Sequence, residues 1–167
     1  MQDELLGRFL FRNLDGIRER WEAIHRYNAT IADRLPVGAK TLAFAEWHYN
    51  ASDPRCPHDS WIQSIELKTA DTFNDLRGVL LLVLGAYHDR LISFDYSGVT
   101  DFEIQGQLVH GPRRLDWLYD ELHLTESGEV EHLIELELCV IGIRCADLTV
   151  TQLPIKDRDR PAGAVVQ

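Results

Sequence analysis

Glu129-Val130-Glu131-His132-Leu133-Ile134-Glu135-Leu136-Glu137-Leu138 repeats with a period of two. The even positions are apolar apart from His132, and the odd ones mostly carry glutamate. Successive side chains of an extended chain point to opposite sides, so this alternation predicts a strand with one face in a core and one outside. His132 falls on the inner face, where a hydrogen-bonded core histidine is a simpler reading than a catalytic one.

Working outward from that strand, the same period predicts others, each bounded by turn residues. They are Trp61–Thr69, Val79–His88, Leu91–Tyr96, Asp101–Gln107, Leu115–Leu124, Glu129–Cys139 and Ile141–Thr151. The intervals between them are too short for crossover helices, which predicts an antiparallel meander of about six or seven strands. Upstream, Leu14, Ile17, Trp21, Ile24, Tyr27, Ile31 and Leu35 recur at spacings of three and four. That stripe predicts one long helix, N-capped by Asn13 and ended by Pro36 and Gly38. A shorter helix is expected over Asp3–Arg12. Helices first and strands after make an α+β domain over residues 1–155, with a curved sheet packed on the long helix. A flexible tail is expected over residues 156–167.

Composition bounds the function classes. At 167 residues, 45% apolar and 26% charged, the chain reads as one globular core rather than a disordered or fibrous one. A formal net charge of -10 opposes binding to a phosphate backbone, so no nucleic-acid partner is expected. The N-terminus places acids ahead of its apolar residues and does not read as a signal peptide. The longest apolar run, Val79–Tyr87, is about half a membrane span, so no membrane partner is expected and the location reads as cytoplasmic. Cys56, Cys139 and Cys145 are expected as reduced thiols.

The loop Glu46–Trp61 is the segment richest in reactive side chains. His58, Asp59 and Ser60 are consecutive, and consecutive side chains diverge too much to form a relay triad. His48, Cys56, His58 and Asp59 are legitimate zinc ligands, but their spacing matches no regular metal motif. They define a metal-dependent hydrolase as an alternative reading, without an identifiable base or nucleophile. The plainer reading is a proline-stiffened surface loop anchored by Trp47 and Trp61, with no cofactor. A third class, a small-ligand module, would use the concave side of the sheet with Trp117 or Tyr119 at its mouth.

Charge is distributed unevenly. Residues 1–40 hold seven basic and six acidic residues, so the negative excess lies in the strand half. Asp116, Asp120, Glu121, Glu126, Glu129, Glu131, Glu135 and Glu137 stand between Leu115 and Ile143 without a lysine or arginine. Paired as a hairpin, several of these carboxylates would share a face, giving either a solvated outer surface or a docking surface for a basic protein.

The strand opened by His58-Asp59-Ser60-Trp61-Ile62, the run LISFDYSGVTDFEIQG, then LDWLYDELHL, EVEHLIELEL and GIRCADLTV together resemble small bacterial α+β proteins. Some proteins of that general look act as immunity proteins beside polymorphic toxins. The resemblance spans roughly Ala45–Val150; it implies a fold and carries over no catalytic residue. The expected function is a non-enzymatic binding protein presenting the acidic hairpin Asp116–Glu137 to a basic partner, in the manner of an immunity-type inhibitor.

Overall fold

The computed structural model describes residues 4–70, 75–108, 111 and 114–156. The expected tail lies outside the described residues past Lys156, as do residues 71–74 of the loop between the first two strands. The chain is α+β, and every strand pairing is antiparallel. Among the described residues no helix is long and apolar enough to cross a membrane.

The apolar stripe forms one helix, α1, shorter than expected at Ile17–Ile31, and a second helix that the stripe does not include, α2, follows over Val37–Ala43. Gly16, not Asn13, precedes α1, and Leu14 is exposed. Pro36 opens α2 instead of ending a helix, since a residue without an N–H suits the start, where backbone donors are orphaned. Two of those donors, on Gly38 and Ala39, find the Asp147 carboxylate at 3.1 and 2.9 Å, so a distant aspartate supplies the cap. Ahead of α1, the helix expected over Asp3–Arg12 is reduced to a single 3-10 turn, Leu6–Arg8.

The strands are β1 Trp61–Thr69, β2 Leu76–Leu84, β3 Arg90–Ser97, β4 Asp101–Gly106, β5 Trp117–Leu124, β6 Val130–Leu136, β7 Cys139–Cys145 and β8 Asp147–Pro154. They do not form one curved sheet lying on a long helix. They form two four-stranded sheets, β1-β2-β3-β8 and β4-β7-β6-β5. The run read as one strand, Ile141–Thr151, divides at Ala146, whose N–H donates to the carbonyls of Ser97 and Gly98 at 3.0 and 3.1 Å. Thr100 N–H donates to the Arg144 carbonyl at the same corner, so both connections pass from one sheet to the other together.

The core lies between the sheets. Val79, Leu81, Val83, Ile92, Phe94 and Tyr96 of the first sheet meet Trp117, Leu122, Val130, Ile134, Ile141 and Ile143 of the second. Phe94 stacks on Trp117 with centroids 5.3 Å apart. Burying each such side chain contributes about 1.5–3 kcal/mol. The helices close one side of this stack: α1 packs against β5 and α2 against β8. A Cβ at Gly38 would stand 1.8 Å from the Leu148 carbonyl oxygen, so α2 approaches β8 as closely as only glycine permits.

Candidate functional site

β5 and β6 carry most of the ionisable groups, and a bulge sorts them. The β5–β6 register slips between Trp117 and Tyr119, which turns both Trp117 and Asp120 toward the interior and leaves Tyr119, Glu121 and His123 on the outer face.

Inside, Asp120 is the hub of a closed network. Its Oδ1 accepts the Trp117 indole N–H at 3.1 Å, and its Oδ2 lies 2.8 Å from His48 Nε2 and 3.0 Å from His132 Nε2. His48 Nδ1 lies 3.1 Å from the Leu42 carbonyl, so both its ring nitrogens face oxygen atoms. His132 Nδ1 lies 2.7 Å from the Tyr96 hydroxyl, which donates to it while Nε2–H donates to Asp120. Burial lowers the His132 pKa, in keeping with that neutral form. Burial alone would raise the Asp120 carboxyl, but His48 and His132 hold it below the usual carboxylate range. All five side chains are buried, and the crevice beside them has no space for a water molecule. The network ties the loop, β5, β6 and β3 together and offers no substrate a way in.

The four candidate metal ligands do not converge. His48 is committed to Leu42 and Asp120. The Cys56 thiol donates to the His48 carbonyl at 3.0 Å and is pushed up to about 11, chiefly by burial, so it stays protonated. His58 lies edge-on to Trp21 and 3.1 Å from the Asp59 carboxylate, which is exposed. Among the described residues no group of three or more His, Cys, Asp or Glu side chains is placed to hold a metal ion. Trp117 and Tyr119 are buried on opposite faces of β5 and border no open mouth.

The outer face of β5, β6 and β7 is covered by the chain's own N-terminal segment. Leu5 and Phe9 pack with Tyr119, Leu133 and Val140 in a second small core. Leu5 reaches the sheet over Gly142, where a Cβ would stand 2.8 Å from its side chain. Arg8 binds Glu131 through Nε and Nη2 and Glu103 through Nη1; Arg12 Nε donates to Glu135 at 3.0 Å. The Glu121 carboxylate accepts the backbone N–H groups of Leu10 and Phe11 at 2.8 and 3.0 Å, the Tyr119 hydroxyl at 2.8 Å, and contacts His123 Nε2 at 2.6 Å. Glu131 also accepts from Arg144 at 2.8 Å. Burial would raise its pKa, yet bonds from His123, Arg8 and Arg144 bring it to about 2. His123, though desolvated, is raised by Glu121 and Glu131.

The acidic hairpin is therefore not an open docking face. Asp120, Glu121 and Glu131 are buried at 3%, 0% and 6% exposure. Glu135 is paired with Arg12, Asp116 accepts the Trp61 indole N–H, and Glu129 bonds Thr100 and Ser127. Glu137 is half-buried, and Glu126 stands exposed in the turn. Composition shows that these carboxylates exist, but not that arginines more than a hundred residues upstream have already claimed them.

One concave surface was not anticipated. A groove of about 450 Å³ runs between α2 and β8, lined by Leu42, Trp47 and Val150, with Val37 exposed at its rim. Among the described residues β8 is an edge strand, paired only with β3. The chain matches no protein-family model, and no curated protein is similar to it.

Proposed function

We propose that the protein is a binding module that captures an extended segment of a partner protein along the free edge of β8. The observation that carries this reading is a contrast between sheet edges. Natural edge strands are guarded against chance pairing by charges, prolines or covering elements. β1 carries Glu66 and Lys68, and β4 carries Asp101 and Glu103. β5 meets β1 through the Trp117 N–H and the Ser60 carbonyl, and its Leu124 N–H is taken by the Tyr27 hydroxyl. β8 carries its charge and its proline at its two ends, Asp147 and Pro154, and α2 packs at its Leu148 end; between them, from Thr149 to Leu153, it is uncharged and rich in threonine, and it borders a largely apolar groove.

An added strand would place main-chain hydrogen bonds along β8 and every second side chain toward Leu42, Trp47 and Val150, the division of labour of strand-addition recognition. Such a peptide reads as alternating and β-branched rather than basic. Selection from a displayed random-peptide library tests it. The expected winners alternate in this way, shift the amide resonances of Thr149–Leu153 and the Trp47 indole, and lose binding when Thr149→Lys and Thr151→Lys guard the edge. Binding indifferent to those two lysines would sink the proposal. A compact ligand that shifts Trp47 but not the β8 amides would replace it with a small-molecule site, and self-association lost in the same variant would make the partner a second copy.

A further inference from the structure

We infer that the outer face of the β4-β7-β6-β5 sheet is a recognition site for a basic, aromatic-bearing peptide segment, filled in this chain by its own residues 4–12. The resident shows what the site takes. Leu5 and Phe9 drop into the floor formed by Tyr119, Leu133 and Val140, while Arg8 and Arg12, four residues apart, reach Glu131, Glu103 and Glu135. Glu121 adds a carboxylate that holds two successive backbone N–H groups, a contact open to any non-proline peptide. With the segment lifted, the four carboxylates Glu103, Glu121, Glu131 and Glu135 would keep, among the described residues, Arg144 and His123 as bonded basic partners and Arg20 nearby over the Tyr119 ring, so the face favours a cationic occupant.

The segment is also built to leave as a unit. Among the described residues it pairs with no strand; its backbone bonds run from Arg8 to Leu5, from Phe9 to Leu6 and from Leu14 of the linker to Phe11, and its ties to the sheet meet side chains rather than strand backbone. Asn13, Leu14, Asp15 and Gly16, which join it to α1, are all exposed. A partner segment must compete with a tethered one, whose effective concentration is on the order of millimolar, so the site answers only to a ligand supplied in excess or bound elsewhere as well.

The test uses the full chain carrying Arg8→Glu and Arg12→Glu, and a labelled synthetic peptide of residues 4–12 as probe. The expected result is that the peptide binds the variant and raises its melting temperature, binds the unaltered protein at least about tenfold more weakly because the tether competes, and fails when its own arginines are reversed. A folded variant that does not bind the peptide, or that binds the reversed peptide equally, would overturn the inference. Hydrogen exchange on the unaltered protein decides the matter if the variant does not fold. Faster exchange of the Leu10 and Phe11 amides than of the β6 and β7 amides supports a detachable segment, and exchange in step with them overturns it.

Discussion

Asp120 and Glu121 are neighbours on β5 that share a charge and near-complete burial, yet they meet opposite circumstances. Asp120 points between the sheets and is held by His48, His132 and Trp117, from the loop, from β6 and from β5 itself. Glu121 points outward and is held by Tyr119 and His123 of its own strand and by the backbone of residues 10 and 11. A buried carboxylate is tolerated when its lone pairs are filled, and both are. The difference lies in who fills them. The inner acid is locked by elements that separate only on unfolding, the outer one partly by a segment with its own way out.

The comparison breaks first at Asp120. Asp120→Ala removes the buried carboxylate shared by His48, His132 and the Trp117 indole and is expected to cost about 3–5 kcal/mol, read as a large fall in the urea midpoint of the whole chain. Glu131→Gln acts on the outer side, weakening the contacts with Arg8, Arg144 and His123. Its expected cost is smaller, about 1–3 kcal/mol, and it appears first as lost protection at Leu10 and Phe11 rather than in the β6 and β7 amides. If both variants melt the chain as one unit, the distinction between lock and strap fails.

Acid sharpens the same contrast. The Glu131 carboxyl is held below its ordinary value of 4.5, at about 2, so its contribution is present above pH 4.5 and is lost as pH falls from there toward 2. Asp120 is depressed as well and loses its contribution as pH falls through its lowered folded value, while His132, lowered by burial, begins to oppose folding once pH drops below 6.5. On the alkaline side His123, raised by its two glutamates, supports the outer cluster below the ordinary histidine value and ceases to as pH rises through its higher folded value. Exchange followed against pH should therefore show the Leu10 and Phe11 amides loosening at both ends of the range. The smallest effect is expected at Arg18→Ala, where an exposed i,i+4 pair with Glu22 is worth about 0.3–0.5 kcal/mol and neither region responds.

The α+β order, the antiparallel strands and the inward aim of His132 were legible in the sequence, because a period of two or of 3.6 states which side of an element is apolar. The same alternation says nothing about which sheet a strand joins. A run such as Ile141–Thr151 reads as one strand whether it stays in one sheet or crosses at Ala146 to another, and only the hydrogen bonds to Ser97 and Gly98 decide it. Pro36 likewise marks a helix boundary without saying on which side the helix lies; Asp147, far along the chain, settles that by capping α2. The acids of β5 and β6 were visible as charge, but whether they met solvent, histidine or arginine depended on His48 seventy-two residues from Asp120 and Arg8 one hundred and twenty-three from Glu131. By itself the sequence determined the periodicity, and with it the faces of each element. Tertiary structure alone decided the partners, because a charge is defined by what stands within a few ångströms of it, and that neighbourhood is assembled from residues no local pattern connects.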